Sequence, residues 1–589
     1  MTETKTKIVT PGSDVTWSVS ADGFDTQSGT FDDISESQSL DIYLLGSYGT
    51  IEKTVKDVQV NDDTSWILLT DGTLWGCGSN SSGQQGSGDT TNVTSFTQRL
   101  TDVKEISCTE TNSWALKTDG TLWGCGSNYY GQQGAGTSGS GTNVTTFTQR
   151  MTDVEHVYAC SQVTWALKTD GTLWGCGRNI YGQQGSGEID SNDENPVTTF
   201  TQRLTDVSKL FISKQYGFET WAVKTDGTLW GCGRGLGGQQ GNGSTNDVTT
   251  FTQRLTDVKD VILLGEYYNG MCDSTWVIKN DNTLWGCGYN ANGSQGSGQQ
   301  SEEVKIFTQR LTDVIKVSCS MNTTWALKTD GTLWGCGTGS YGQQGDGSTS
   351  YITTFTKRLT EVRDVFASQD ETWALKTDGT LWICGRNTYG QQGNGSTDPN
   401  DRYYVKTFTQ RLNDVKKLCC NVRETWAIKT DGTLWGCGYN DTAQQGSGGT
   451  TDVTYLTQRL TDVKEVFHGI PSNPSVNVSY ATWALKTDGT LWGCGNNSKG
   501  QQGSGNTTDV TTFTKRNPSI TGYNSAKLTI NSTPADATVT INSTTTSSAD
   551  IRKGTSAEWS VSKTGYETQS GTISHIYDDT TLNINLEEE

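Results

Sequence analysis

The stretch TWALKTDGTLWGCG is written letter for letter at 164–177, 324–337 and 482–495, and near copies fill the chain between and around them. Its first half alternates, with Trp165 and Leu167 on one face of an extended strand and Ala166 and Lys168 on the other. The Asp-Gly pair that follows predicts a two-residue hairpin turn of type I′, which needs positive φ. In TLWGCG, Trp and Cys oppose Leu and two glycines. Small positions of that kind suit a sheet covered on both faces. The expectation is that the large aromatics of one sheet lie over the Gly and Cys of the next.

The Trp of this LW-x-CG element recurs as Trp75, Trp123, Trp174, Trp230, Trp285, Trp334, Trp382, Trp435 and Trp492, at spacings of 48 to 57 residues. A period near fifty marks a solenoid or a propeller. Every unit runs in the same order. Asp-Val opens a short apolar run; then come TWALKT, the DG turn, TLWGCG, a polar loop with GQQG, and VTTFTQRLT. That makes four strands per unit and nine units. The nine tryptophans are assigned to the blade core, each burying about 150–250 Å². One unit cannot bury its own faces, so neighbours must stack.

The pattern TWALKTDGTLWGCGxNxYGQQGxG is similar to the repeat of the regulator of chromosome condensation family, over roughly 51–516. The resemblance implies an all-β fold of radial β-propeller blades. That family usually closes with seven blades, and propellers generally have four to eight. Nine units make either a wide ring or an open spiral, and a single closed ring is the expectation.

The ends of the chain are copies of each other. WSVSADGFDTQSGT at 17–30 aligns without gaps to WSVSKTGYETQSGT at 559–572. Residues 517–589 resemble a PEGA-type β module, with Pro534-Ala535-Asp536-Ala537 at its name motif. Residues 1–50 carry a partial copy that lacks the first two strands. Half a sheet leaves edges that another chain can complete. Trp17, Phe24 and Ile42 are therefore candidate docking residues toward other virion or scaffold proteins, or toward a second copy in a homo-oligomer. The alternative is a shrunken module that packs on the first blade.

Composition narrows the function. The net charge is −20, and 1–50 and 517–589 are both acidic. No basic stripe is evident, which argues against nucleic-acid partners. No run of eighteen apolar residues occurs, which argues against membrane insertion. The N-terminus lacks a signal peptide's apolar core, so synthesis in a cytoplasm is expected. The 15 Cys are odd in number and nine recur at one repeat position, unlike a disulfide framework.

Catalytic and metal chemistry find little support. Three His, at 156, 468 and 575, share no repeat position. The LW-x-CG cysteines stand about fifty residues apart, without the close pairs that chelate metal. The Arg of TQRLTDV and the acid three residues on read either as a ring for an anionic ligand or as blade-to-blade ion pairs. The acidic loops at 188–196 and 396–402 match no calcium-loop spacing. The expectation is no enzyme, no cofactor and no metal.

Individuality lies in the insertions between strands. Tyr216, Phe218, Tyr267, Tyr268, Tyr403, Tyr404 and Tyr480 sit there as candidate ligand or partner contacts. Tyr130, Tyr181, Tyr341 and Tyr389 precede GQQG in four units. Exposed aromatics stack on sugars or anchor proteins; the alternative is that they cap strand ends. The leading reading is a structural and binding protein of a bacteriophage virion surface, as a tail, fibre or receptor-binding part meeting a cell-surface glycan or receptor. The alternative is an intracellular propeller that regulates a small GTPase, an activity the resemblance implies for some family members. An enzyme on a propeller scaffold ranks last.

Overall fold

The computed structural model describes residues 13–19, 27–34 and 51–587, apart from 53, 62, 191, 193, 214–216, 264–273, 301–302, 321, 369, 398–403, 422, 469–480, 517–518, 521–524, 543, 553–556 and 574–579. Two compact units divide the chain: Lys53–Pro518, and Met1–Glu52 together with Ser519–Glu589. The described residues form no helix.

The larger unit is a propeller of nine four-stranded antiparallel sheets, each built from four consecutive strands in sequence order. The sheet holding the quoted stretch is made of Val154–Ala159, Val163–Lys168, Leu173–Gly177 and Val197–Leu204. Its second strand is buried almost end to end, whereas the fourth alternates between half-buried and exposed residues. Side chains of successive first strands meet across blades: Gln59 Nε2 donates to Ile106 O at 2.6 Å and Lys417 lies 2.6 Å from Glu465. The first strands therefore converge on the axis, and the fourth strands form the rim.

Packing between blades follows from TWALK. Trp165 and Leu167 lie against Val207, Leu210 and Ala222 of the next sheet. Trp165 is fully buried, as are the eight tryptophans equivalent to it. The LW-x-CG tryptophans, assigned to the blade core, lie at its margin, where Trp75, Trp285 and Trp382 pack against the buried clusters. Trp75, Trp123, Trp174, Trp230, Trp285, Trp334, Trp382, Trp435 and Trp492 are only half-buried. The turn explains why. Trp174 Nε1 donates to Thr172 Oγ1 at 2.9 Å, and Lys168 lies over its ring at 5.6 Å. An indole held between a turn hydroxyl and an ammonium keeps one edge in water.

The partner of the buried Trp also differs from expectation. Trp165 pairs across strands with Gly175 of its own sheet, where a Cβ would stand 2.5 Å from the Trp165 ring. The glycine thus clears space within a blade, not for the next one. The following blade supplies an aromatic edge instead, Phe251 at 5.9 Å and 72°. The cysteine faces the preceding blade: Cys232 Sγ donates to Gln183 O at 3.4 Å.

The Asp-Gly turn is not type I′. Gly171 has φ +77° but Asp170 does not take positive φ. Gly171 N donates to Lys168 O at 2.9 Å, which gives a three-residue loop closed by a left-handed glycine. Asp170 uses its ordinary φ to accept from Thr172 N and Thr172 Oγ1 at 2.9 and 2.6 Å. That Thr then serves Trp174.

The last blade packs on the first. Trp483, Leu485 and Leu491 share a core with Val55, Val58 and Ile67. Phe96 stands edge-on to Trp483 at 5.9 Å, and Cys77 Sγ donates to Gln501 O at 3.3 Å. These contacts repeat those of the interior seams, one of which carries Leu456 in place of the Phe, so the ring is closed.

In the other unit, Ser525–Thr533 lies between Ser548–Arg552 and Thr580–Asn585 in one sheet. A second sheet orders Thr544–Thr545, Thr538–Ile541, Ala557–Ser562 and Gln569–Ile573. Leu528, Ile530, Val539, Ile541, Ala557 and Val561 fill the core of this module. Near the start of the chain, Ser13–Val19 pairs with Gln27–Ile34, placing Trp17 opposite Gly29. Trp559 stands opposite Gly571 in the same register. Of the docking candidates Trp17 is on that strand; Phe24 and Ile42 lie outside the described residues.

Candidate binding surface

Loops joining first to second strands and third to fourth strands share one face of the ring. GQQG builds its foundation. Gln184 Nε2 donates to Cys176 O at 2.9 Å and Gln184 N to Asn179 Oδ1 at 2.9 Å. Gln183 Oε1 accepts from Tyr181 N at 2.9 Å, while Gln183 O takes Thr220 Oγ1 of the next blade at 2.9 Å. Both glutamines are fully buried. Amides locked in this way hold the residue before GQQG at a fixed height above each seam.

That position is where the aromatics gather, in two arcs. Over blades two to four, the Arg178 guanidinium lies 4.7 Å above the Tyr130 ring, and Arg234 covers Tyr181 and Phe218 at 5.0 and 5.6 Å. Over blades six to eight, Arg386 covers Tyr341 at 5.0 Å, and Arg423 covers Tyr389 and Tyr439 at 5.2 and 5.4 Å. Edge-on ring pairs complete each arc: Tyr181 with Phe218, and Tyr341 with Tyr404. Cation–π contacts of this kind are worth about 0.5–2 kcal/mol each.

Of the insertion aromatics, Phe218 and Tyr404 thus join the GQQG set as half-buried members of the arcs. Tyr216, Tyr267, Tyr268, Tyr403 and Tyr480 lie outside the described residues. The arginines were missed by sequence reading, although three of them announce themselves as CGR in place of CGS, CGY, CGT or CGN. Tyr129, 52% exposed, offers the most open ring of the first arc.

The other sequence candidates settle differently. Among the described residues the acid of TQRLTDV forms no ion pair with its Arg. Asp153 meets Lys168 of the same blade at 3.7 Å, and Asp257 meets Lys279 at 3.9 Å. Arg358 reaches Asp346 in its own GQQG loop at 3.4 Å. No group of three or more metal-binding side chains occurs among the described residues. The nine repeat cysteines are buried, and burial pushes their thiols well up, which makes them inert.

Beneath the second arc lie two buried acids that replace small residues at the start of TWALK. Burial pushes the Glu424 carboxyl up to about 7, with Trp426 Nε1 donating to it at 3.0 Å. Glu371 is raised by burial and then by the neighbouring Asp370. Both are protonated in folded and unfolded chains below the ordinary carboxylate range. As pH rises from there, the unfolded chain ionises first, so the stability that Glu424 contributes is lost up to about pH 7 and then levels. Each unit of displacement is about 1.4 kcal/mol, so on the order of 2–3 kcal/mol should separate pH 5 from pH 8 for Glu424. Urea melts of Glu424→Gln are expected to show a flattened pH profile; an unchanged slope would remove Glu424 as its cause.

The molecule is thus a repeat propeller with a rigid face dressed in arginine-capped aromatics. Residues 55–84 and 103–132 match the regulator of chromosome condensation (RCC1) repeat family, and 525–585 match the head fiber dimeric protein-like domain. The head fiber dimeric protein of Bacteroides phage crAss001 is 63% identical over 43 residues, which are 7% of this chain and 35% of that protein. The chain thus spans about a third of the length of that curated relative. Among solved structures, human WBSCR16 is 17% identical, covering 67% of this chain and 95% of its own, with a TM-score of 0.38. Prp20p from Saccharomyces cerevisiae is 18% identical, covering 58% and 86%, with a TM-score of 0.38. Yeast RCC1 (Prp20) bound to Kap60 is 14% identical, covering 75% and 94%, with a TM-score of 0.40.

Proposed function

We propose that the chain is a non-enzymatic component of a bacteriophage particle, with its C-terminal module acting as a fibre module and its propeller displayed for binding. The observation that carries this is the match of 525–585 to a head-fibre domain, together with 63% identity over 43 residues to a phage head fibre protein. In this reading 525–585 provides a dimer contact, and the PEGA-like plan read from Pro534–Ala537 describes the same module. Ser13–Val19 and Gln27–Ile34, paired in the register of the C-terminal copy, dock onto another virion protein or a second copy. The arginine-capped arcs face a host-surface receptor or glycan. The GTPase-regulator alternative gains no specific support, because a repeat match speaks for a binding scaffold and not for its partner.

The test is immunogold electron microscopy of particles from the phage that encodes the chain, using antibody against the propeller. Gold at the capsid surface is the expected result, with loss of gold when residues 1–45 are deleted. Unlabelled particles would end the virion reading. Labelled particles carrying the deleted chain would end the docking role of the N-terminal strands.

A further inference from the structure

The inner wall of the ring carries a charge pattern that the composition conceals. In all nine sheets the pairing of first with second strand skips one residue directly after the opening Val. A bulge of this kind turns its extra residue out of the ladder. On an innermost strand that residue faces the axis. Six of the nine are cations, Lys56, Lys104, Lys259, Arg363, Lys416 and Lys464, and all six are exposed. One alone, Glu155, is acidic. In a chain of net charge −20, six cations at one level of a channel are not a compositional accident.

Their hydrogen-bond partners are neutral. Lys56 Nζ donates to Lys104 O at 3.0 Å, Lys259 to Asn282 Oδ1 at 3.0 Å, and Arg363 to Val415 O at 2.6 Å. None of the six forms an ion pair with a described residue. The acids one residue along are already engaged. Glu105 meets His156 at 3.1 Å, Asp364 meets Lys316, and Glu465 meets Lys417. Asp57 and Asp260 accept from the backbone at Val58 and Val261. In four of the preceding turns the acid pairs outward with a second-strand lysine: Asp153 with Lys168, Asp257 with Lys279, Asp313 with Lys328 and Glu361 with Lys376. A closed wall of low dielectric focuses what is left.

Three residues beyond the bulge, Tyr158, Phe211 and Phe467 pack against blade cores, whereas Phe366, on the strand of Arg363, is 36% exposed. An exposed aromatic face on the strand of a cation suits a sugar ring that bears an acid group. A duplex nucleic acid carries a charge every ~1.7 Å, denser than one cation per blade can match. An acidic glycan spaces its charges with neutral sugar. We propose that the channel binds a linear acidic glycan, its carboxylate or sulfate groups on the bulge cations and a sugar face on Phe366. This deepens the receptor-binding reading and rests on it only for the source of the glycan.

Fluorescence anisotropy on the full chain at 0.15 M salt decides the matter, with labelled oligouronate, dextran sulfate and single-stranded oligonucleotide as probes. The channel variant is Lys104→Gln with Lys416→Gln and Lys464→Gln. The control makes the same charge change on fourth strands, with Lys305→Gln, Lys357→Gln and Lys406→Gln. The channel variant should raise Kd for both glycans about tenfold, as three lost charge contacts would. The control should leave Kd within about twofold, as exposed charges away from the site do. Thermal midpoints must match the parent for both. Absence of glycan binding, equal loss in the control, or the oligonucleotide as tightest ligand would each overturn the proposal. Glycan binding by a chain that never labels particles would sink the virion reading alone.

Discussion

Trp165→Ala is expected to destabilise the ring by about 3–5 kcal/mol, and Trp174→Ala by less than about half of that. Both residues belong to the repeated phrase and both would count as core by composition. Only Trp165 is fully buried, pressed between Gly175 of its own sheet and Phe251 of the next. Its removal leaves a cavity that blade geometry prevents from collapsing. Trp174 keeps one edge in water and contributes a turn hydrogen bond and a cation–π contact. Urea unfolding followed by far-UV circular dichroism compares the two without relying on indole fluorescence. Equal losses would mean that the outer tryptophans hold the blades together after all.

Phe96→Ala is expected to cost as much as Phe251→Ala, on the order of 2–3 kcal/mol for a half-buried aromatic. The comparison isolates closure. Phe251 packs on Trp165 at an interior seam, whereas Phe96 packs on Trp483 where the last blade meets the first, both at 5.9 Å. In an open spiral Phe96 would face solvent, and its loss would leave the unfolding midpoint unmoved. A matched pair of shifts requires a continuous ring. The same reasoning extends to Cys77, whose thiol reaches Gln501 across that seam.

Much of the fold could be read in the chain because the information is repeated. Four alternating or apolar runs per unit, separated by glycine-rich turns, leave few arrangements other than stacked blades. What could not be read was which tryptophan goes inside. TWALKT and TLWGCG both place Trp at a position of period two, and the choice depends on Thr172, three residues after Thr169, holding the indole nitrogen at the surface. The turn type was misjudged for a related reason. Asp-Gly signals type I′ in isolation, yet here the Asp carboxylate takes two hydrogen bonds from Thr172 that need ordinary φ. The aromatic face was legible as tyrosines before GQQG, but not as arcs, because each capping arginine comes from the following blade. The channel cations escaped notice because they lie about fifty residues apart, so no local stretch is basic. Ring geometry alone brings them to one level.

Eight of the nine seams repeat one meeting of Cys, Phe and the polar loop, the seam between last blade and first among them, and Leu456 takes the place of the Phe at the ninth. A unit gained or lost through unequal crossover would therefore need no new interface, only a slightly different circumference. Insertions in single blades would ride along unchanged. Such a gene can reshuffle its loops while the ring that carries them stays sound.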